Sequence, residues 1–158
     1  MDNVIIEVII CNGLNLKMKK TCIVTGGSSG IGLSIVKRFL ADGFDVFNLD
    51  IQPSNIGTYC HCDLSDHDAV IKTITAISNR HTIDVLVSNA GMHYSANIEN
   101  TTEHAFDNVF NLNVKGAFAA TKAVLPNMKA AKNGAIIYIA SEQALVAKNN
   151  SFAYDLSK

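Results

Sequence analysis

A glycine-rich turn set between a strand and a helix constrains the fold of this chain most. Residues 21–25 are strand-like, and residues 30–42 place apolar side chains at helical spacing until Gly43 ends the pattern. Glycines let a ligand approach the backbone closely, and the amides at a helix N-terminus bind phosphate. In this setting the turn predicts a dinucleotide site, and a tight turn that binds nothing is the alternative. The predicted contacts are Gly26, Ser28, Ser29, Gly30, Ile31 and Gly32.

The rest of the chain alternates short apolar runs with amphipathic segments. Further strands are predicted over residues 44–49, 58–62, 83–88 and 135–140. One helix is predicted to be capped by Ser65 and carries Val70, Ile74 and Ile77. A long helix is predicted from Thr101 or Thr102 to about residue 132, with an interruption near Asn113. Another helix begins at residue 151. Pro53 and Pro126 are expected in loops or at helix ends.

These strands are apolar along their whole length, which is typical of a parallel sheet covered on both sides. Right-handed crossovers then give an α/β, Rossmann-like, doubly wound parallel sheet with helices on both faces. We expect one such domain over residues 18–158. Residues 1–17 are expected to be an appendage, with an apolar run that is a candidate extra strand.

Charge and cysteine content narrow the function classes. The 13 basic and 14 acidic residues give a net charge of −1, which favours neither nucleic acid nor an anionic membrane surface as a partner. Because no secretion signal is recognisable, the four cysteines are expected to be reduced and the protein cytoplasmic. Cys60 and Cys62 flank a histidine, but no second ligand pair has matching spacing, so no metal site is predicted.

Asp50 bears on which dinucleotide binds. It lies 18 residues after Gly32, at the end of the second predicted strand. A carboxylate there accepts hydrogen bonds from both ribose hydroxyls of the adenosine half and repels a 2′-phosphate. Neither Ser29 nor Ile51 supplies a positive charge for such a phosphate. The sequence therefore predicts NAD in preference to NADP, and a solvated loop acid is the alternative for Asp50.

Five features that follow the glycine turn complete a family resemblance. They are, in order, an acidic residue after the third predicted strand, Asn-Ala-Gly after the fourth, an asparagine, a serine and Tyr-x-x-x-Lys. Together with the glycine spacing Gly-x-x-x-Gly-x-Gly, they resemble the classical short-chain dehydrogenases/reductases (SDR family) over residues 18–158. The resemblance implies an NAD-dependent oxidoreductase that transfers hydride between nicotinamide and a secondary alcohol or ketone, and a homo-oligomeric parent protein. The cofactor residues that it adds are Asp63, Leu64, Asn89, Ala90, Gly91, Tyr154 and Lys158.

The resemblance also implies an active site of Asn113, Ser141, Tyr154 and Lys158. Tyrosine and lysine four residues apart on a helix face the same side, and a nearby ammonium favours the phenolate, so Tyr154 becomes a usable acid or base. Ser141 would hold the substrate oxygen by a hydrogen bond. Asn113 would fix the helix interruption and a water that relays protons to Lys158.

Family members continue well past this lysine, so the resemblance implies that C-terminal strands and part of the subunit interface are missing. Three hypotheses remain open: the amino-terminal portion of an ordinary enzyme, a non-catalytic NAD-binding module, and a defective fragment that associates through an unpaired strand edge. The substrate does not follow from the sequence. Candidates for lining the substrate cleft, or for exposed loop positions, are His93, Tyr94, Gln143, Leu145 and Val146.

Overall fold

The computed structural model describes residues 19–158, so the predicted appendage at residues 1–17 lies outside the described residues. The strands are β1 (Thr21–Thr25), β2 (Asp45–Asp50), β3 (Thr58–His61), β4 (Ile83–Ser88) and β5 (Ala135–Tyr138). The helices are α1 (Gly30–Ala41), α2 (His67–Ser78), α3 (Glu103–Phe110), α4 (Ala117–Ala131) and α5 (Phe152–Leu156). A π-helical segment, Asn111–Gly116, joins α3 to α4, and Ile98–Asn100 and Glu142–Ala144 are short 3-10 turns.

All five strands run parallel in the order β3-β2-β1-β4-β5. The chain steps outward from β1 through β2 to β3 and then crosses back to β4 on the other side of β1. The strand order therefore reverses between β1 and β4, and in such sheets ligands bind beyond the carboxyl ends of the strands at this switch point. The predicted doubly wound α/β sheet is confirmed.

Two apolar clusters hold the helices on the two faces of the sheet. On one face, α2 and α4 bury side chains such as Ile74 and Val124 against Ile23 and Leu86. On the other face, α1 packs through Val36 against a smaller cluster of Cys22, Val24, Val46 and Val87. The central strand β1 is buried at every position, which fixes the turn that follows it against the rest of the fold.

The predicted cap of α2 is wrong by one residue. The Asp66 side chain caps this helix by accepting a hydrogen bond from the Ala69 amide at 3.0 Å. Ser65 instead donates its hydroxyl to the Asp63 carboxylate at 2.7 Å, a local bond that removes it from the capping role. At α3 the structure selects Thr102, which accepts from the Ala105 amide.

The expectation for Pro126 is also wrong, because this residue lies inside α4. Proline lacks the amide that would bond to the preceding turn of the helix. Tertiary contacts on both sides of the proline hold the helix, since Val124 and Met128 are buried against the sheet. The Asn127 side chain also donates to the Ser78 and His81 carbonyls at 3.0 and 3.1 Å.

The edge strand β5 ends at Tyr138, two residues earlier than predicted. Pairing continues for one more residue, since the Ile139 amide donates to the Ser88 carbonyl at 3.0 Å. Ile137 and Tyr138 are 43% and 54% exposed, so this strand is covered far less than β1 or β4. None of the helices in the described residues is long and apolar enough to cross a membrane.

The described cysteines, Cys22, Cys60 and Cys62, carry free thiols. Burial raises the pKa of Cys22 to about 12, and burial also raises the pKa of Cys60 and of Cys62. All three side chains pack in or against the apolar clusters. They therefore serve as core residues with weakly reactive thiols.

Candidate active site

A cavity of about 370 Å³ lies at the switch point of the sheet. It is formed by the loops that follow β1, β2, β3 and β4, together with Leu112 of the π-helical segment. Eleven predicted cofactor residues line it: Gly26, Ser29, Gly30, Ile31, Gly32, Asp50, Asp63, Leu64, Asn89, Ala90 and Gly91. Segments far apart in the sequence thus meet around one space.

The glycine turn forms the floor of this cavity. Gly26 has a φ of +66°, a conformation in which a side chain is strained. A Cβ atom on Gly32 would lie 2.0 Å from the Gly26 carbonyl oxygen, so no other residue fits without moving the turn. Ser29 precedes α1 without a side-chain capping bond, so its hydroxyl and the first amides of the helix remain available to an anion.

The Asp50 carboxylate is held at the end of β2 by two backbone amides. Ser28 and Gln52 each donate to one of its oxygens at 2.9 Å. Asp50 is only 8% exposed, and a buried carboxylate needs such donors. Each oxygen keeps a further lone pair, so the group can accept two more hydrogen bonds from a ligand in the cavity.

Ser28 is the predicted contact in the glycine turn that does not line the cavity. Its hydroxyl donates to the Gln52 carbonyl at 2.7 Å and accepts from the Asn48 side-chain amide at 3.1 Å. This hydroxyl is engaged by bonds that brace the β2 loop, and its contact with a cofactor stays a prediction. Ser28 acts through its backbone amide, which positions Asp50.

Asp63 lies where the chain leaves β3, and its carboxylate is exposed at the cavity. The Ser65 hydroxyl and the Ser65 amide donate to it at 2.7 and 2.8 Å. These bonds hold the pKa of the Asp63 carboxyl below its usual range. The group remains an ionised hydrogen-bond acceptor into mildly acidic solution.

Asn89 and Thr25 tie the turns after β1 and β4 together. The Thr25 hydroxyl oxygen accepts from the amides of Asn89 and Ala90, both at 3.0 Å. The Asn89 side chain donates back to the carbonyls of Thr25 and Gly26 at 3.0 and 3.1 Å. The two sides of the switch point are thereby fixed in relation to each other before any ligand binds.

A second cavity of about 390 Å³ adjoins the first and shares Ala90 with it. It contains Asn113 and Lys158, two of the four predicted active-site residues. Asn113 lies in the π-helical segment, which confirms the predicted interruption, and its side chain bonds to both the amide and the carbonyl of Met92 at 2.8 and 3.0 Å. It also donates to the Ser157 hydroxyl at 2.8 Å.

Tyr154 and Lys158 lie together at the end of the described chain. The Lys158 Nζ atom is 5.5 Å from the centroid of the Tyr154 ring and donates to the Ile139 carbonyl at 3.2 Å. The two side chains therefore lie close together, and the bond to Ile139 connects the ammonium to the end of β5. Their catalytic roles stay a prediction.

Ser141 follows β5 and begins the Glu142–Ala144 turn. Its hydroxyl oxygen accepts from the Gln143 amide at 3.2 Å, which leaves the hydroxyl proton free to donate. Among the described residues, no hydrogen bond joins Ser141 to Tyr154. The structure therefore places Tyr154, Lys158 and Asn113 in one connected group, with Ser141 beside it on its own turn.

Some residues of the site were not predicted from the sequence, and for the candidate cleft residues the sequence left both a cleft and an exposed loop position possible. The first cavity is also lined by Ile51, Gln52 and Leu112, which were not predicted. Asn48 does not line it, but its side-chain amide donates to the Ser28 hydroxyl. Gln52 and Ile51 directly follow Asp50, a signal that was available, whereas Leu112 and Asn48 become neighbours only through the fold. Of the candidate cleft residues, Leu145 and Val146 are 90% and 68% exposed, and the His93 ring contacts the Tyr154 ring.

Comparisons with known proteins agree with this arrangement. The family model described as short chain dehydrogenase matches residues 20–158. The 2-(R)-hydroxypropyl-CoM dehydrogenase of Xanthobacter autotrophicus is 38% identical over 159 residues, covering 89% of this chain and 64% of that protein.

Two solved structures share the fold. Ligand-free aldohexose dehydrogenase of Thermoplasma acidophilum superposes with a TM-score of 0.83 at 32% identity, covering 88% of this chain and 56% of the other. A 4-hydroxyisoleucine dehydrogenase complexed with NADH superposes with a TM-score of 0.82 at 28% identity, covering 88% and 63%. This chain therefore spans less than two thirds of the length of each of these three relatives.

Proposed function

The chain belongs to the short-chain dehydrogenase/reductase family, and on that premise we propose that the whole protein is an NAD-dependent oxidoreductase acting on a secondary alcohol or ketone. A homo-oligomeric, cytoplasmic enzyme with small-molecule substrates remains part of the proposal. The observation that carries it is the cavity at the switch point, where the glycine turn, Asp50 and Asp63 meet.

The cavity suits the two ends of the adenosine diphosphate half of NAD. The glycine turn offers close backbone approach and helix amides to a pyrophosphate, while Asp50 offers two oxygens to ribose hydroxyls. The lining contains two aspartates and no lysine or arginine. A 2′-phosphate would meet negative charge there without a cation to pair with it, which supports NAD over NADP.

The nicotinamide, when bound, would supply or accept the hydride. The chain itself would manage the proton: Tyr154 would give it to, or take it from, the substrate oxygen, and the Lys158 ammonium lies close to the Tyr154 ring. Ser141 has a hydroxyl proton free to hold that oxygen. Asn113 fixes the loop after β4 and the Ser157 side chain, so it holds the group in place.

Cofactor binding tests the first half of this proposal. We expect NADH to bind the 158-residue chain more tightly than NADPH, measured by fluorescence or calorimetry. Asp50→Ala should weaken NADH binding by about 10- to 100-fold, because two charge-assisted hydrogen bonds are lost. The matched control is Asp107→Ala, an exposed aspartate on α3, which should bind NADH like the unaltered chain. Equal binding of NADPH and NADH would contradict the NAD assignment.

Turnover tests the second half. The whole protein should oxidise or reduce members of a panel of secondary alcohols and ketones, and Tyr154→Phe should abolish turnover while NADH binding persists. A protein that binds NADH but turns over no member of the panel would be a binding module instead.

A further inference from the structure

His93 lies against Tyr154 in a position that the proton-transfer role of Tyr154 does not explain. The centroids of the two rings are 4.8 Å apart and their planes are inclined by 63°, an edge-to-face contact. Such contacts contribute orientation as well as apolar burial, because the positive edge of one ring meets the negative face of the other. Tyr154 is therefore flanked by Lys158 and by an aromatic ring from the loop after β4.

Both nitrogens of the His93 ring are engaged by serine hydroxyls. The Nε2 atom is 3.0 Å from the Ser151 hydroxyl oxygen, and the Nδ1 atom is 3.3 Å from that of Ser95. A hydroxyl can donate or accept, so this pair accommodates either tautomer of the imidazole and fixes the plane of the ring in each case. The imidazole is thus oriented independently of Tyr154.

Ser151 links this arrangement to the helix that carries Tyr154. It stands at the N-cap position of α5 but makes no side-chain capping bond, and it is only 4% exposed. Its hydroxyl is directed to His93 instead of to the first turn of the helix. Serine at this position usually caps the helix, so the Ser151 hydroxyl bonds to His93 in place of a capping bond.

Hydrogen bonds to backbone atoms anchor the loop that carries His93 on both sides of this residue. The Phe152 amide donates to the Ala96 carbonyl at 3.2 Å, and Ala96 pairs with Ser151 in a parallel bridge. On the other side, Met92 is held by Asn113 through its amide and its carbonyl. The loop that carries His93 is therefore anchored to the π-helical segment and to the start of α5.

We propose that His93 is a positioning residue for Tyr154: the Ser151 and Ser95 hydroxyls orient the imidazole, and the imidazole fixes the plane of the phenol ring. This inference rests on the proposed role of Tyr154 in proton transfer. It assigns to His93 no contact with substrate or cofactor, since its action passes through Tyr154.

Nuclear magnetic resonance of the 158-residue chain tests the inference without turnover. With ring-labelled tyrosine, Tyr154 is assigned by its loss in Tyr154→Phe, and we expect nuclear Overhauser contacts between the His93 and Tyr154 rings. His93→Gln keeps a donor and an acceptor but removes the aromatic ring, so the Tyr154 resonance should shift while that of Tyr138 stays. Ser151→Ala should weaken the ring contacts. His104→Ala, an exposed histidine on α3 that bonds Asn108, is the control and should leave Tyr154 unchanged.

Kinetics of the whole protein give a second measurement. His93→Gln should lower kcat by between about 10- and 100-fold with little change in KM for NADH, because a misplaced proton donor slows the reaction without altering the cofactor cavity. A double variant with Ser151→Ala should lose no more than His93→Gln alone, since Ser151 acts through His93.

Either measurement can overturn the inference. An unchanged Tyr154 resonance in a folded His93→Gln chain would do so, and so would an unchanged kcat. If the unaltered protein turns over no substrate, the proposed reaction fails, while the ring contacts still decide whether the His93 ring packs against Tyr154.

Discussion

The cofactor cavity and the Tyr154 region are supported by different parts of the fold. The cavity stands on β1, β2 and β4, which are largely buried, and its loops are tied by bonds from Thr25, Asn89 and Ser28. The Tyr154 region, meaning residues Tyr154 to Lys158, is held by hydrogen bonds to Ile139 at the end of β5 and to Asn113 of the π-helical segment. The difference indicates that the proposed cofactor binding and the proposed proton transfer depend on separate sets of contacts, so that a substitution can impair one without the other.

The largest expected effect tests whether the cavity is as rigid as its bonds indicate. Gly32→Val places a Cβ 2.0 Å from the Gly26 carbonyl oxygen, so the turn must move. We expect NADH affinity to fall by at least ~100-fold, equivalent to about 2.7 kcal/mol.

Gly43→Ala is the matched control for Gly32→Val. Its φ is +84° but no atom lies within 4 Å of the added Cβ, so it should cost about 1 kcal/mol of stability and leave NADH affinity intact. Retained NADH affinity in Gly32→Val would mean that the turn adapts and does not define the site.

Asn113→Ala tests the support of the Tyr154 region. The substitution leaves the Met92 amide and carbonyl without their partner and removes the bond to Ser157. We expect a loss of about 2–3 kcal/mol in the free energy of unfolding, measured with urea. If the two regions depend on separate contacts, turnover should fall further than NADH affinity. An equal fall in turnover and in NADH affinity would contradict that separation.

Thr25→Val tests the hydrogen bonds that join the turns after β1 and β4 within the cofactor cavity. The side chains have nearly the same shape, but valine cannot accept from the Asn89 and Ala90 amides, which a 2% exposed position leaves without water. A loss of about 1–2 kcal/mol in the free energy of unfolding is expected, with weaker NADH binding. Thr58→Val, an exposed threonine on the edge strand β3, is the comparison and should change neither quantity.

The smallest expected effect concerns pH. Because hydrogen bonds from Ser65 hold the pKa of Asp63 low, Ser65→Ala should move that pKa upward, toward its ordinary value. The carboxylate then protonates at a higher pH as the solution is acidified. NADH affinity, titrated downward from neutral pH, should begin to fall at a higher pH in the variant, with unchanged affinity at pH 7. Superimposable profiles would show that Asp63 does not contact the cofactor.

The sequence predicted the regular elements well where apolar spacing defines a strand or helix and a glycine marks its end. β1 and β4 have the predicted bounds, and the interruption at Asn113 is confirmed as a π-helical segment. Besides the early end of β5, the errors are at Ser65 and Pro126, where a neighbouring carboxylate and packing against the sheet override local preference. Local preferences amount to about 1 kcal/mol for a cap, which tertiary contacts readily exceed.

By itself, the sequence determined most of the residues that line the cavity at the switch point, because the glycine turn, the strand-ending aspartate and the Asn-Ala-Gly run follow strands whose carboxyl ends meet at one edge of a parallel sheet. Only the tertiary structure decided that Ser28 braces Asp50 instead of lining the cavity, that Asn48 lies beneath the turn, and that His93 meets Tyr154. These contacts join residues about 20 to 60 positions apart, and a residue's own neighbours in sequence carry no record of which distant side chain the folded sheet places beside it.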